Sequence, residues 1–431
     1  MNGYDQSLGV FASIDGQDIA VGELYYDKSA NMLSRDPVLA FQYAHNFLEN
    51  EKCYQISPDL PLTREVIRMS ERIPTPGVFR DMLPDEWGSN LIWRSSSSDQ
   101  YVMSVVENPQ FLHQLDVLKI TSDLTRQGNL RLANESNEFI APQLSPLPIV
   151  DSLDEIAESK NHYLSNIFET EEILRLKNVV SSIGGAAPKV SCLDRRGNLY
   201  IAKFFKADIT GQITSNPIFE EVCLRIAREL EIETEKSQLI QLSNGEYAFI
   251  AKRFDRLDGN RIPYLSLYSM VEGKVNRSET SYELLGELVF SKFGAKASKD
   301  FFVRVALNIA VNNTDDHLGN TGFLFDFSSE QWELAPLFDI YPNSNIKGQS
   351  PVSVKKNNVH NSRGFSDLID IAPVFGLSKD VAKKITHKVA SAVSSKWVEQ
   401  ALALGAQSVD IDRYELVFSL SSYYLRGTVS S

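Results

Sequence analysis

Asn312-Asn313-Thr314-Asp315-Asp316-His317-Leu318-Gly319-Asn320 is the densest polar stretch of the chain, and it directly follows an apolar helical repeat that ends near Val311. Asn, Asp and Gly favour irregular backbone, so the stretch is expected to be a loop standing on the buried helix behind it. Next come Thr321-Gly322-Phe323-Leu324-Phe325-Asp326-Phe327, Ser328-Ser329-Glu330-Gln331 and Trp332-Glu333-Leu334-Ala335, which read as a hairpin delivering Pro336-Leu337-Phe338-Asp339. A hairpin returns its second strand beside the first, so Asp339 is expected near Asn320. One loop acid, one amide shortly after it and one acid beyond a hairpin meet the needs of phosphoryl transfer: a base to orient a hydroxyl, and two oxygen ligands for magnesium. Magnesium keeps water and phosphate oxygens in its shell, so one carboxylate and one amide carbonyl suffice.

Upstream of this loop the pattern changes from strands to helices. Val10 to Ile14 and Ile19 to Leu24 flank the turn dipeptide Asp15-Gly16, predicting a hairpin. Residues 57–90 carry Pro58, Pro61, Pro74, Pro76, Gly77 and Pro84 and read as compact but loop-rich. Ser145 to Glu158, with Pro146 and Pro148, reads as a linker into a helix. Lys189 to Leu193 and Leu199 to Phe205 form a second predicted hairpin around Arg195-Arg196-Gly197-Asn198, and Ser237 to Leu242 pairs with Tyr247 to Lys252 across Asn244-Gly245. Between these pairs, Phe219, Val222, Cys223, Ile226 and Leu230 recur at helical spacing. Helical periodicity dominates beyond residue 262. The expected fold class is α+β: an N-terminal α/β domain over 1–150, a β-rich lobe over 151–258 and a helical lobe over 259–431.

The 431 residues carry 43 Lys and Arg against 56 Asp and Glu, a formal charge of −13. That balance disfavours a protein whose own surface holds DNA or RNA by phosphate contacts. The three cysteines have no CxxC spacing and fit reduced thiols. No stretch approaches the roughly 20 apolar residues of a bilayer span, so a soluble, cytoplasmic protein without membrane contact is expected.

The order Ser182-Ile183-Gly184-Gly185-Ala186-Ala187-Pro188-Lys189, Ala202-Lys203, Phe219-Glu220, Lys252-Arg253-Phe254-Asp255-Arg256, Thr314 to Asn320 and Leu337-Phe338-Asp339 resembles the HipA family of serine/threonine kinase toxins. The N-terminal segments Val21 to Leu24, Ser57 to Leu62 and Phe79 to Asp85 resemble that family's leading domain. The resemblance implies a two-lobed, protein-kinase-like fold using ATP and magnesium. It assigns Asp315 as catalytic base, and Asn320 and Asp339 as magnesium ligands. Lys203 would hold nucleotide phosphates with Glu220 as its ion-pair partner. The backbone of Lys252 and Phe254 would meet adenine, with His317 close to the nucleotide. Ile183, Gly184, Gly185, Ala186 and Ala187 would cover the phosphates with backbone amides. Ser182 matches the position at which members phosphorylate themselves and are silenced. The resemblance also implies a small helix-turn-helix antitoxin as partner, DNA contact mainly through that antitoxin, and a protein substrate, aminoacyl-tRNA synthetases being among the family's targets. Family members often carry Gln at the position of Ala187, and the glycine loop lacks the Gly-Lys-Ser/Thr ending of a P-loop.

Plainer readings stand beside these. Lys203, between Ile201-Ala202 and Phe204-Phe205, is a charge in an apolar strand and needs a partner. Glu220 and Glu221 could merely favour the positive end of their helix. Asp316 reads as a polar loop residue, and Asp326 as a solvent-facing strand residue. His45, His113, His162, His360 and His387 show no metal spacing. The polar stretch from Asn343 to Arg363, just after Asp339, could face a substrate. Two functions compete with a protein kinase: a catalytically silent nucleotide-binding corepressor that partners a DNA-binding antitoxin, and a small-molecule or lipid kinase.

Overall fold

The computed structural model describes residues 6–26, 37–140, 146–180, 187–207, 213–271, 280–346, 350–356 and 364–427. Gln6–Ile14 and Gln17–Tyr26 pair antiparallel about Asp15-Gly16, both of which take positive φ as a tight hairpin turn requires. A five-stranded sheet forms around them in the order Ile67–Arg68, Leu39–Tyr43, Gln17–Tyr26, Gln6–Ile14, Leu130–Ala133. Gly22 permits the approach of the neighbouring strand, since a Cβ there would lie 2.2 Å from the Gln42 carbonyl oxygen.

A second antiparallel sheet runs in the order Ser237–Gln241, Tyr247–Lys252, Leu199–Phe204, Lys189–Leu193. Its period-two alternation separates two cores. Val190, Cys192, Ala202, Phe204, Ala248 and Ile250 face a cluster that includes Trp87, Leu91 and the helices Asp154–Leu164 and Thr170–Asn178. Phe249 and Ala251 face the other way, into the large core. Lys203 stands opposite Lys189 on one side and Phe249 on the other, so these three side chains share that second face.

The helix Pro217–Glu229 covers this face. Asn216 caps it by accepting from the Ile218 N–H, and Pro217 occupies the first turn. Phe219, Val222, Cys223 and Ile226 are fully buried along it. The C-terminal lobe is built on Tyr282–Ala310, which kinks at Gly294 (φ 78°), with Lys379–Ala403 and Ser408–Gly427 packed beside it. A three-stranded sheet, Tyr264–Ser266, Gly322–Asp326 and Gln331–Leu334, adjoins them. One apolar core runs from Val10 and Phe41 of the first sheet through Phe219 to Phe302 and Phe375 of the helical lobe. Among the described residues, no helix is long and apolar enough to cross a membrane.

A buried ionic knot ties the crossover after Tyr247–Lys252 to the N-terminal part of the chain. Arg253 grips Asp255 with two bonds, Nε to Oδ1 at 2.7 Å and Nη2 to Oδ2 at 2.5 Å, and Arg256 adds a third at 2.9 Å. The Gly128 N–H donates to the same carboxylate at 2.8 Å, while Arg253 and Arg256 donate to the carbonyls of Thr125 and Arg126. Burial opposes the charge on Asp255, but the two guanidinium groups outweigh it and hold the carboxyl at about 2. Replacing Asp255 by Ala leaves two guanidinium groups without their counter-ion in the interior. Asp255→Ala should therefore cost about 3–5 kcal/mol in chemical denaturation; a loss under about 1 kcal/mol would show that the knot is dispensable.

Candidate functional site

The helix Tyr282–Ala310 ends as its sequence dictates. Asn312 takes a left-handed φ of 52° just past the C-cap Val311, and the Asn313 N–H returns to the Asn308 carbonyl at 2.8 Å. The Asn313 side chain then accepts from the Asp315 N–H at 3.1 Å, which sets the loop's direction. Asp315 is exposed at the surface of the cleft, whereas Asp316 is buried and accepts from Asn308 Nδ2 at 2.8 Å and from the Tyr282 hydroxyl. The reading of Asp316 as an ordinary polar loop residue is thereby corrected: it anchors the loop to the helix beneath. His317 Nδ1 accepts from the Gly319 N–H at 3.1 Å, so a neutral ring carries its proton on Nε2.

Asn320 is buried, and its Nδ2 donates to the Asp315 carbonyl at 3.0 Å. Its Oδ1 is buried with no hydrogen-bond partner among the described residues. An unpaired buried carbonyl oxygen is costly unless something else satisfies it, and a divalent cation is a fitting ligand. Asp339 follows the hairpin Gly322–Asp326 and Gln331–Leu334, as the strand pattern anticipates. A bridge between Thr234 and Leu337, with the Glu235 N–H donating to the Leu337 carbonyl at 3.0 Å, steers the segment into the cleft. Asp339 itself is left-handed at φ 54°, a conformation Asp tolerates better than most residues.

Lys203 supplies the centre of charge. Its Nζ lies 2.5 Å from Glu220 Oε1 and 2.6 Å from Asp339 Oδ1, and 5.5 Å from the centroid of the Phe249 ring. The apolar strand thus has the counter-ions it needs. Glu221 faces elsewhere and binds Arg225, Arg228 and Ser237, which distinguishes the two adjacent glutamates. Burial works against the ionised form of Asp339, but Lys203 and Lys189 outweigh it and hold its carboxyl at about 2. Burial also opposes the charge on Lys203, yet Asp339 and Glu220 keep it protonated. The packed walls around Asp315 raise its carboxyl, His317 pulling the other way and Asp339 reinforcing the rise.

Two contributors escaped sequence reading. Lys189, cross-strand from Lys203, pairs with Asp85 at 3.1 Å, both side chains being about 1% exposed. Its position opposite Lys203 was the available signal. Glu235 is a buried acid beside the same cluster, and nothing in its local sequence marks it.

A cavity of about 820 Å³ opens in front of Asp315 and His317, walled by Phe338, Tyr264 and residues of the N-terminal part. Lys252 ends its strand, and the Phe254 ring lies 5.4 Å from Phe338, the residue before Asp339. Ala187 is half-buried just before Lys189, while Ser182, Ile183, Gly184, Gly185 and Ala186 lie outside the described residues. Lys355 and Lys356, from the polar stretch after Asp339, pair with Asp367, Asp370 and Glu287.

Two lobes with an acidic loop and a lysine-centred cluster between them make a two-lobed, kinase-like fold. Residues 181–397 match the HipA-like C-terminal domain and residues 17–105 the HipA N-terminal domain. The chain belongs to the HipA family. Among solved structures it resembles the toxin-antitoxin complex of HipA, HipB and operator DNA from Shewanella oneidensis MR-1, at 17% identity and a TM-score of 0.65 over 97% of each chain. The proinflammatory kinase CtkA of Helicobacter pylori aligns over 55% of this chain and 89% of its own, at 17% identity and a TM-score of 0.35. No curated protein matches.

Burial pushes the Glu235 carboxyl up to about 8, Glu220 and Asp339 adding to the rise against Lys203. A carboxyl raised in the folded state confers stability below its unfolded pKa, near 4.5, and that stability drains as pH climbs through the folded value. Glu235→Gln should therefore flatten the fall in melting temperature between about pH 5 and pH 8. Parallel wild-type and variant profiles would exclude Glu235 as a source of that slope.

Proposed function

We propose that this chain is an ATP-dependent protein serine/threonine kinase and the toxin of a toxin-antitoxin pair. The observation that carries the reading is the meeting of Lys203 with both Glu220 and Asp339 beside a loop in which Asn320 keeps a buried, unpaired carbonyl oxygen. Glu220 holds the lysine head at the point where nucleotide phosphates enter between the lobes. The backbone at Lys252 and Phe254 receives adenine, and His317 faces the nucleotide. Asn320 and Asp339 would hold magnesium, which when bound offsets negative charge on the phosphates.

Asp315 orients the acceptor hydroxyl and takes its proton. The hydroxyl oxygen forms a bond to the γ-phosphorus as the bond to the bridging oxygen breaks, and ADP leaves. A carboxyl pushed upward is better matched to this task than an ordinary one. Lys203 spreads its charge over the phosphates and costs no reorganisation, since Glu220 has already positioned it.

Self-phosphorylation at Ser182 would place about −1.5 to −2 charges beside the nucleotide's own and silence the enzyme. A small antitoxin would bind the operator and hold this acidic chain to it; the Shewanella structure named above contains HipA, HipB and operator DNA together. The toxic substrate is a cellular protein, with aminoacyl-tRNA synthetases the first to examine.

Purified chain incubated with magnesium and labelled ATP should label itself and a protein substrate. Asp315→Gln should lower that transfer by at least ~100-fold and abolish growth arrest on expression. Arrest that persists in Asp315→Gln would overturn kinase activity as its cause.

A further inference from the structure

The cavity in front of Asp315 contains a cation that none of the roles above uses. Arg80 lines it from the N-terminal part of the chain, on the wall shared with Tyr268 and Ser266. Its guanidinium lies over the Tyr268 ring, with Cζ 4.1 Å from the centroid, so stacking fixes its plane. Its only hydrogen bond among the described residues is a long one from Nη2 to Ser269 Oγ at 3.4 Å, and its Nε is buried without an acceptor. Arginine keeps its charge at any ordinary pH and presents a planar fork of donors suited to an oxyanion.

The carboxylates nearest in the wall are already occupied. Asp81 accepts from the Ser266 N–H and Oγ, both at 2.7 Å. Asp85 accepts from the Gly88 N–H at 2.6 Å and pairs with Lys189. Neither lies within ion-pair distance of Arg80. Among the described residues lining the cavity, Arg80 is the only one with a permanent positive charge. Asp315 and His317 line the same cavity as Arg80, whereas Lys203 does not, so Arg80 and the lysine-centred cluster do not share this space.

We infer that Arg80 is a specificity-determining residue that binds an acidic side chain of the protein substrate, close in sequence to the hydroxyl presented to Asp315. The inference rests on the kinase reading and names the substrate class that reading leaves open. About 820 Å³ accommodates several residues of an extended peptide, enough for an acceptor and one acidic neighbour. Tyr268 supplies rigidity at little entropic cost, and the unmet Nε–H and the remaining guanidinium donors supply the bonds.

The test uses the full chain with magnesium and ATP, against peptides with a single Ser and with Glu, Gln or Lys placed in turn at the three positions on either side. At one position Glu should exceed Gln by about tenfold in kcat/KM, mainly through KM, as expected for a charge-assisted pair. Arg80→Met should bring the ratio to about one, and Arg80→Glu should reverse it toward Lys. Each ratio is read within one preparation, so the amount of folded variant cancels. A wild-type enzyme that labels itself or a protein yet discriminates among none of these peptides, or labels none, overturns the subsite alone. A preference that survives in Arg80→Met does the same. Absence of any Asp315-dependent transfer overturns the kinase reading and this inference with it.

Discussion

Everything in the cleft depends on one buried charge. Lys203 lies on a strand whose flanking residues are apolar, and an isolated ammonium there would be driven to neutrality. Glu220 from the covering helix and Asp339 from the segment after the C-terminal hairpin both reach it. Three elements distant in sequence are thereby held at one point, and two of them come from different lobes. The cluster holds more carboxylate than ammonium charge, which favours a further cation nearby and adds to the burial that raises the Glu235 carboxyl.

Around that centre, the N-terminal part of the chain is structurally integral. Arg253, Asp255 and Arg256 bind the carbonyls of Thr125 and Arg126 and the Gly128 N–H, so the crossover between the lobes is braced from outside. Asp85 reaches Lys189, the cross-strand neighbour of Lys203, and simultaneously caps the helix Glu86–Ser95. Burying such pairs seldom adds much net stability over apolar packing, but breaking them is costly, so they fix how the parts fit together. The same part of the chain also contributes Arg80 to the cavity facing Asp315.

Much of this was legible in the text. The strand pairs around Asp15-Gly16, Arg195 to Asn198 and Asn244-Gly245 lie where alternation and turn dipeptides place them, because both signals act over a few residues. The α+β character and the HipA family assignment were likewise readable from the order of motifs. The demand of Lys203 for a counter-ion followed from its apolar neighbours, and helical spacing placed Glu220 on the covering helix. Asp316 was misread because an acid in a polar loop looks alike whether it points outward or inward. Only Asn308 and Tyr282, on the helix beneath, show that it points inward.

By itself the sequence determined the succession of strands and helices, the irregular loop after the long helix, and the existence of a charge that would need neutralising. Tertiary structure decided which carboxylates neutralise it, which of two adjacent aspartates faces the cleft, and that Arg80, from the N-terminal part, lines the cavity in front of Asp315. Periodicity and turn chemistry are local properties of the chain. The partner of a buried charge is chosen by long-range closure, which no window of residues contains.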